Sequence, residues 1–392
     1  MARRRGNRMS ACYGIVVSSA SSNSGSSPEG GRFSSQTAAG PMSQNPRASQ
    51  RAPYVVAIVL NWNNLPDTLE CLTSLEGSDY TNFAVWVVDN DSREDPSTII
   101  HERHPGVRVL RNARNLGYGA GNNAALTRAI DDGAVYVLLL NNDVVVAPDT
   151  IGRLVRVAEA DHRIAMATPR VFYYDRPTEI YWDGGIIDWE TGETPHDSRG
   201  LPVEGHLRKS EWLDGCALLV RVSAIEDVGL LDERYFLYFE DVEWSVRALR
   251  RGWTNAVALQ AHAWHKVSRS TGGLKSPAVR YYYARNRYLF MNAYCPAGCL
   301  WKLRYASRLF REYRLVRHER EGRRVIVAAC MSLVLSRWGP YEATADFRRF
   351  VRVLDALLLL ALRGVSVVTA FLLPIRKVID LFAAGKNGGR GS

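Results

Sequence analysis

Between residues 54 and 146, runs of apolar and β-branched residues alternate with segments that have the apolar spacing of a helix. The runs are YVVAIVLNW, FAVWVVDND, RVLR and VYVLLLNNDVVV. The first intervening segment, LPDTLECLTSLEG, repeats leucine every three or four residues, which is typical of a helix. The alternation predicts an α/β fold whose parallel strands are joined by right-handed crossovers. Because strands this apolar are covered on both faces, we expect ligands beyond their carboxyl ends.

The third strand is followed by a glycine-rich segment, NLGYGAGNN (115–123), which we expect to form a loop ahead of a helix. Its three glycines would let the backbone approach a ligand closely. The spacing is not the GxGxxG of dinucleotide-binding folds, and a plain loop that enters a helix is the simpler alternative.

Charge is unevenly distributed along the 392-residue chain, whose net charge is +10. Residues 1–52 carry +6, residues 53–299 carry −7 and residues 300–392 carry +11. A nucleic-acid-binding protein would place its basic patch on the main fold, so the pattern argues against that class. Basic flanks around an acidic domain suit docking on an anionic membrane surface, although solvated basic helices would give the same composition.

Residues 1–52 are rich in serine, glycine and arginine and offer too little apolar surface to fold, so we expect a disordered tail. MARRRGNRM followed by ACYGIVV is similar to the start of a signal peptide, but its seven apolar residues are few for one, and Met42 is an alternative start. The six cysteines lack the CxxC…CxxC spacing of a zinc site, so we expect reduced thiols and a cytoplasmic protein.

Residues 300–392 are predicted to form a basic, partly apolar helical region. Arg304, Arg308 and Arg311 fall on one helical face. The segment 353–375 approaches membrane-spanning length, but charged residues, a glycine and a proline interrupt it. A helix that lies on the membrane or packs in a core is therefore favoured over a span.

A set of motifs between residues 54 and 295 occurs in the order found in one enzyme family. The motifs are VLNWNN, VVDND, NLGYGAGNN, LLLNNDV, DGCALLVR, LDERYFLYFEDVEWSVRALRRG, WHKVSRSTGG and YYYARNRYLF. Together they make the chain resemble an inverting family 2 glycosyltransferase, and in particular the rhamnosyltransferase-like enzymes of bacterial polysaccharide assembly. The resemblance implies a GT-A (Rossmann-like), mixed and mainly parallel sheet flanked by helices over residues 53–299, with a helical extension over 300–392.

The resemblance also implies which positions hold the nucleotide sugar and which face the acceptor. The nucleotide-sugar positions are Asn61, Asn63, Asp89, Asp91, Asn115, Gly117, Asn141 and Asn142. Asp214 and Gly215 are expected on the acceptor side, where the family more often has Ser than Asp before the glycine.

Asp89 follows four apolar residues, so its carboxylate is held at a strand end. A carboxylate in that position can accept the N3–H of uracil or thymine. The sequence DNDS that Asp89 begins would also suit a cap for the next segment, and this alternative stays open.

Asp143 follows the apolar run at Asn141-Asn142-Asp143. A sugar nucleotide releases a diphosphate, and Mg²⁺ or Mn²⁺ bridging its oxygens stabilises the charge that develops in the transition state. Asn141 replaces the first carboxylate of the commoner Asp-x-Asp, so the cation would depend on Asp143, with His265 as a further ligand and His262 as its competitor. A polar residue that merely ends a strand is the alternative for Asp143.

Glu240 and Asp241 stand at the start of a helical pattern, VEWSVRALRRG. We expect Asp241 to remove the proton from the acceptor hydroxyl as it attacks the anomeric carbon opposite the diphosphate, with Glu240 orienting the site. Such attack inverts the anomeric configuration. Carboxylates are also favourable at any helix N-terminus, which is the non-catalytic alternative.

These features predict an enzyme at the cytoplasmic membrane surface that transfers one sugar to a lipid-linked or glycan acceptor in cell-surface polysaccharide biosynthesis. Rhamnose from a dTDP donor is the first candidate, and galactose, glucose or N-acetylglucosamine from a UDP donor is the alternative. A non-catalytic nucleotide-sugar-binding protein is the alternative outside enzymes. The lack of a QxxRW motif with several long apolar segments disfavours a processive synthase. A sugar nucleotidyltransferase is disfavoured because no glycine-rich loop with a basic pair follows the first strand.

Overall fold

The structure is a computed structural model that describes residues 52–267, 276–295, 300–341 and 345–362. Within these ranges one sheet contains the strands β1 (Val55–Asn61), β2 (Phe83–Asp89), β3 (Arg108–Arg111), β4 (Tyr136–Asn141), β5 (Val144–Val146), β6 (Ile164–Tyr173), β7 (Ile180–Trp182), β8 (Val203–Glu204), β9 (Leu207–Lys209), β10 (Ala217–Arg221) and β11 (Thr254–His265). The helices of the same ranges are α1 (Leu65–Glu76), α2 (Ser97–Arg103), α3 (Gly117–Asp131), α4 (Thr150–Ala160), α5 (Val222–Val228), α6 (Glu240–Arg250), α7 (Pro277–Tyr294), α8 (Leu300–Leu315), α9 (Arg320–Val334) and α10 (Ala345–Leu362).

The sheet has the strand order β3-β2-β1-β4-β10-β6-β11-β9-β8. The strands β3, β2, β1 and β4 are parallel, which confirms the crossover topology predicted from the sequence. Strand β10 then runs antiparallel to both β4 and β6, so the second half of the sheet is mixed. The five residues Val55–Val59 of β1 are fully buried, as expected of a central strand covered on both faces.

The fourth apolar run is not the single strand that its composition predicts. It divides at Asn142 and Asp143 into β4, which stays in the parallel half, and β5, which crosses to β11. Strand β5 pairs with β11 in antiparallel register, with Val144 opposite His265. As a result of this division, the carboxyl end of β4 lies next to the C-terminal end of β11.

The glycine-rich segment also differs from its prediction, since helix α3 already begins at Gly117. Gly121 lies inside the helix where a Cβ atom would stand 3.0 Å from Asn90 Nδ2 and 3.2 Å from Leu60 Cδ1. Small residues are needed here so that the helix can pack closely on the strand ends. The glycines therefore serve helix packing in addition to any ligand contact.

The C-terminal helices pack against one another and against the sheet domain. Helix α9 packs on α7 and α10, and a buried ion pair joins Arg323 to Asp355 at 2.9 Å. None of the helices in the described part of the chain combines the length and the apolar character needed to cross a membrane. Residues 1–51 of the predicted tail (1–52), most of the motif WHKVSRSTGG and residues 363–375 of the apolar segment lie outside the described residues.

Candidate active site

The carboxyl ends of β1, β2 and β4 are tied together by a buried hydrogen-bond network centred on Asn61. The Asn61 amide donates to Asp89 Oδ1 at 2.9 Å, and its oxygen accepts from Thr68 Oγ1 at 2.8 Å and from Asn142 Nδ2 at 3.3 Å. Asn142 also donates to the Asn64 carbonyl oxygen at 3.0 Å. Asn61 and Asn142 therefore fix the strand ends relative to helix α1.

Asp89 is fully buried in this network. Besides the bond from Asn61, it accepts the Ser92 backbone N–H at 3.2 Å and lies 3.4 Å from Arg111 Nε. Arg111 also pairs with Asp95 at 2.8 Å. The Ser92 bond is the capping contact that the sequence left open as an alternative, so Asp89 organises this turn whether or not it also contacts a base.

Three of the expected nucleotide-sugar positions lie in turns at the edge of the network. Asn63 and Asp91 are exposed and have positive φ angles of 54° and 67°, a conformation that Asn and Asp tolerate better than most residues. Asn115 accepts the Gly117 backbone N–H at 2.9 Å and the Asn90 amide at 3.1 Å. These side chains hold turns whose shape decides what can approach the strand ends.

Asp143 and His265 form a buried pair where β5 meets β11. Asp143 Oδ1 lies 3.1 Å from His265 Nε2. Although burial lowers the pKa of His265, the hydrogen bond and the charge of Asp143 outweigh it and raise that pKa. His262 packs edge-on against Phe172 instead, so His265 is the histidine that reaches Asp143.

The Asp143–His265 pair fits a divalent cation that takes most of its ligands from a substrate. Asp143 Oδ1 and His265 Nε2 are the two atoms that face each other, so a cation shared by the pair would replace the hydrogen bond between them. No group of three or more His, Cys, Asp or Glu side chains in the described ranges could hold a metal. A two-ligand protein site completed by phosphate oxygens and water is the usual arrangement for Mg²⁺ beside a phosphate substrate.

The two carboxyl groups at the start of α6 both have raised pKa values. Burial, followed by the charge of Asp214, raises the pKa of Asp241 to about 7, against bonds from the Gly215 N–H at 3.0 Å and the Val242 N–H at 2.8 Å that favour its charged form. Burial and the neighbouring Asp241 raise the pKa of Glu240 well above its ordinary value. Both carboxyl groups are therefore easier to protonate than in water, and the Gly215 and Val242 N–H bonds favour the charged form of Asp241.

Asp214 and Gly215 precede β10 and face this acidic pair. Asp214 Oδ1 accepts the Cys216 backbone N–H at 2.8 Å, and the Gly215 carbonyl oxygen accepts the Tyr118 hydroxyl at 2.6 Å. A Cβ atom at Gly215 would stand 3.3 Å from both Asp241 Cβ and the Tyr118 hydroxyl. The absence of a side chain at Gly215 thus allows the close approach that supports Asp241.

A cavity of about 380 Å³ brings one part of the predicted site together. The predicted residues that line it are Asn141, Asp214, Gly215, Glu240, Asp241 and His265. Asp143 joins the cavity through His265. The strand-end and turn residues Asn61, Asn63, Asp89, Asp91, Asn115 and Asn142, together with Gly117, do not line it. The predicted residues therefore fall into two groups. One group lines the cavity, and the other belongs to the hydrogen-bond network and turns at the strand ends.

Several residues of the cavity wall were not predicted as site residues from the sequence. They are the aromatic and cationic residues Tyr118, Tyr181, His196, Trp212, Tyr283 and Arg287. They come from separate segments, and single aromatic residues in apolar patterns are usually interpreted as core. Tyr118 was the most accessible to prediction, because a tyrosine between two glycines has unusual freedom to reach across a site.

A second group missed by sequence reasoning supports the loop that leads into α6. Phe236, Tyr238 and Phe239 have positive φ angles of 63°, 67° and 73°, and each such residue costs about 1–3 kcal/mol unless its surroundings hold it. Asn286 Nδ2 lies 2.9, 2.8 and 2.7 Å from the carbonyl oxygens of Tyr235, Leu237 and Tyr238.

Arg285 completes this support from the same helix. Its guanidinium donates to the carbonyl oxygens of Tyr235 at 2.6 Å and Arg234 at 3.0 Å, and to Asn286 Oδ1 at 2.8 Å. Arg285 and Asn286 are both fully buried. The polar pair inside the motif YYYARNRYLF therefore clamps the strained loop that positions Glu240 and Asp241.

Comparison with known proteins gives matches across the sheet domain. Residues 56–218 match the model of glycosyl transferase family 2. The N-acetylglucosaminyl-diphospho-decaprenol L-rhamnosyltransferase of Mycobacterium tuberculosis is 28% identical over 288 residues, which cover 66% of this chain and 92% of that protein. The low-salt glycan biosynthesis hexosyltransferase Agl10 of Haloferax volcanii is 24% identical over 240 residues, which cover 60% of this chain and 75% of that protein.

Among solved structures, the crystal structure of GalNAc-T7 with UDP, GalNAc and Mn²⁺ superposes with a TM-score of 0.53 at 15% identity. The superposition covers 78% of this chain and 55% of that chain, so this chain spans little more than half of the neighbour's length. At this identity the likeness concerns the fold, which is the mixed sheet flanked by helices described above.

Proposed function

The chain is a glycosyltransferase of family 2 with a GT-A fold, and from that premise we propose that it transfers a single sugar from a nucleoside-diphosphate sugar with inversion of the anomeric carbon. The observation that carries the proposal is the cavity of about 380 Å³, in which Asp241 and His265, the partner of Asp143, face one volume. A base and a diphosphate-side group that meet in one cavity are what a single displacement requires.

In this mechanism Asp241 is the general base. Its two oxygens each accept one backbone N–H, from Gly215 and Val242, and each keeps a lone pair for the proton of the acceptor hydroxyl. A base is most effective when its pKa lies near the working pH, and the pKa of Asp241 is raised to about 7. The attacking oxygen loses its proton to Asp241 while the diphosphate leaves from the opposite face of the sugar.

Glu240 has a different role because its pKa is raised well above the ordinary range. A protonated carboxyl group can donate a hydrogen bond, and Glu240 Oε2 is buried without a partner among the described residues. We assign Glu240 to orienting the acceptor or the loop beside Asp241.

The Asp143–His265 pair would hold Mg²⁺ or Mn²⁺, which would offset the charge that develops on the leaving diphosphate. The strand-end frame of Asn61, Asn142 and Asp89 would set the position of the nucleotide. Asp89 is the candidate for reading the base, and because it is fully buried, such a contact needs a local opening of the turn after β2.

The acceptor and the donor sugar are proposed from the relatives. The Mycobacterium tuberculosis relative is named as a rhamnosyltransferase that acts on a sugar carried by diphospho-decaprenol. We therefore infer transfer of rhamnose from a dTDP donor to a lipid-linked acceptor in cell-surface polysaccharide biosynthesis. Residues 53–299 would be the catalytic domain, and the basic region 300–392 would hold it on the cytoplasmic membrane surface.

The structure narrows which basic residues could contact a membrane. Arg304 lies 3.5 Å from Glu190, and Arg308 lies 2.5 Å from Glu193, so both are engaged with the sheet domain. Arg311, on the same predicted face, is exposed. A membrane contact would therefore use the exposed arginines at the end of α8 and just beyond it, which are Arg311, Arg314, Arg317 and Arg320.

Product analysis tests the proposal. Purified protein with Mn²⁺ or Mg²⁺ is incubated with dTDP-rhamnose, or with UDP-galactose, UDP-glucose or UDP-N-acetylglucosamine, and a prenyl-diphosphate-linked sugar. We expect rhamnose transfer, with the anomeric configuration of the product, read by NMR, opposite to that of the donor. A retained configuration would exclude the single displacement. Transfer from a UDP-sugar alone would correct the donor, and tight donor binding without turnover would identify a non-catalytic binding protein.

A further inference from the structure

A second cavity, of about 310 Å³, lies between helices α7, α8 and α9. Its wall is mainly apolar, with Val279, Leu309, Leu315, Val316 and Ile326, and it also includes the charged residues Arg280, Arg308 and Glu312. The volume is at the lower end of the range of about 300–1,000 Å³ that is usual for ligand pockets. We call this cavity the helical groove.

The helical groove and the active-site cavity share two wall residues, Tyr283 and Arg287. The two cavities are therefore neighbours on either side of one short segment of α7. Leu315, at the end of α8, is 77% exposed, so the groove also has an apolar side that reaches solvent.

Arg287 at this junction is a cation that lies within electrostatic range of Glu193 and Glu312 without pairing with either. Its Nε is buried with no hydrogen-bond partner, and it forms no ion pair with another described residue. Burial and the nearby Arg308 lower the pKa of Arg287, but a guanidinium stays protonated in proteins. Both carboxylates pair directly with Arg308 instead, Glu193 at 2.5 Å and Glu312 at 2.9 Å.

A partly buried and unpaired guanidinium is unfavourable unless an anion completes it. The planar guanidinium matches phosphate oxygens in a bidentate manner, and it does so better than a lysine would. Arg287 thus has the chemistry of a phosphate-binding residue. It lies in the wall that the cavity containing Asp241 shares with the helical groove.

We propose that Arg287 binds the diphosphate of a prenyl-diphosphate-linked acceptor whose sugar lies in the active-site cavity and whose first isoprenoid units lie in the helical groove. The proposal rests on the function proposed above and assigns that acceptor its binding site. The order of chemistry along the two cavities, polar and acidic, then cationic, then aliphatic, matches the order of sugar, diphosphate and hydrocarbon in such a molecule. The nucleotide is assigned elsewhere, to the ends of β1, β2 and β4.

Farnesyl diphosphate tests the site without catalysis, because it carries both the diphosphate and a short isoprenoid chain. Binding is measured by calorimetry in EDTA, with inorganic diphosphate and farnesol as probes of each half alone. We expect farnesyl diphosphate to bind at least tenfold more tightly than either. Arg287→Gln should weaken its binding at least tenfold. Leu315→Gln, at a position exposed enough to tolerate the change, should reduce the advantage over inorganic diphosphate by severalfold.

Arg304→Gln is the matched control, since Arg304 is an arginine of α8 that lines neither cavity and forms only an exposed pair with Glu190. It should bind farnesyl diphosphate as wild type does. Equal affinity of wild type and Arg287→Gln would overturn the proposal, and so would displacement of farnesyl diphosphate by UDP, which would place its diphosphate in the donor site. Wild-type protein that binds this probe as expected but transfers no sugar would remove the proposed function and leave the prenyl-diphosphate site.

Discussion

Asp241 makes the rate of transfer depend on pH. Burial and the charge of Asp214 raise the pKa of Asp241 to about 7, and a general base works only when it is deprotonated. We therefore expect kcat/KM to rise about tenfold per pH unit below pH 7 and to level off above it. A profile measured at constant Mn²⁺ that is flat across neutral pH would remove Asp241 from this role.

The variant Asp241→Asn keeps the shape of the side chain and removes the base. Transfer should fall by about 10² or more, and the rise with pH should disappear. Asp143→Ala provides the contrast, because it should weaken metal-dependent donor binding itself. A donor affinity in Asp143→Ala that equals wild type, with the same metal dependence, would place the cation elsewhere.

Glu240 links stability to pH in a direction that can be measured. Its folded-state pKa is raised well above the ordinary value, so the folded protein binds a proton that the unfolded chain releases as pH rises. The free energy of unfolding of wild type should then fall with rising pH. Glu240→Gln removes the contribution of Glu240 to this dependence, so the Tm of the variant minus that of wild type should be larger at about pH 8 than at about pH 5. An unchanged Tm difference across pH would mean that Glu240 is already ionised.

The sequence singles out Asp143 and Asp241 as candidate site residues but not Asn286 or Arg287, and the reason is their position relative to the sequence patterns. Asp143 and Asp241 stand at the ends of apolar or helical patterns, and polar residues at such ends point to a site. Asn286 and Arg287 stand within a helix, where polar residues normally face solvent. Their burial depends on which elements pack over α7, and the local sequence pattern does not predict this packing.

At the scale of elements, the parallel strands β1, β2 and β4 were predictable because their apolar runs are long and uniform. The separation of β4 from β5 was not, because Val144–Val146 would be apolar in either arrangement and the pairing partner, β11, is more than 100 residues away. Helix α3 was mistaken for a loop for a similar reason. Glycine favours loops locally, whereas Gly121 is required by the close contact with Asn90 and Leu60.

The loop between α5 and α6 depends on helix α7, and this dependence gives a further prediction. Asn286→Asp keeps the shape but removes the donors that hold three carbonyl oxygens of the strained loop. We expect kcat to fall at least tenfold while the donor Kd changes less than threefold, because the strand-end frame is separate from this loop. A loss confined to Tm would indicate a purely structural role.

Asn292 offers a matched control for that variant. It lies on the same helix but is exposed, so Asn292→Asp should leave kcat and Tm near their wild-type values. Asn286→Gln retains the amide and should restore part of the activity. If Asn286→Asp and Asn292→Asp behave alike, the clamp does not position Asp241.

At the scale of the whole molecule, the acidic and basic regions of the sequence correspond to different parts of the structure. The acidic region 53–299 contains the cavity with Asp241, whereas the exposed arginines Arg311, Arg314 and Arg317 lie on or just after α8, which also borders the helical groove. A membrane surface that attracts these arginines would bring a prenyl chain to the groove. The two proposals, docking and acceptor binding, are therefore compatible in geometry but can fail separately.

The last prediction tests docking with two triple variants of equal charge. Replacing Arg311, Arg314 and Arg317 with Gln should weaken binding to anionic liposomes at least tenfold, since each basic residue near such a surface contributes about 1 kcal/mol. Replacing three exposed arginines of the sheet domain, Arg93, Arg103 and Arg114, removes the same charge from another face and should change binding less than twofold.

Salt independently tests whether binding to anionic liposomes is electrostatic. Raising the ionic strength from about 0.1 M to about 1 M shortens the screening length from about 10 Å to about 3 Å. Wild type and the sheet-domain triple should then be released from anionic liposomes, while binding to neutral liposomes stays low throughout. If both triple variants lose the same affinity, net charge alone governs adsorption, and the arginines around the end of α8 form no membrane-docking face. If neither loses affinity and salt has no effect, any attachment must come from apolar contacts.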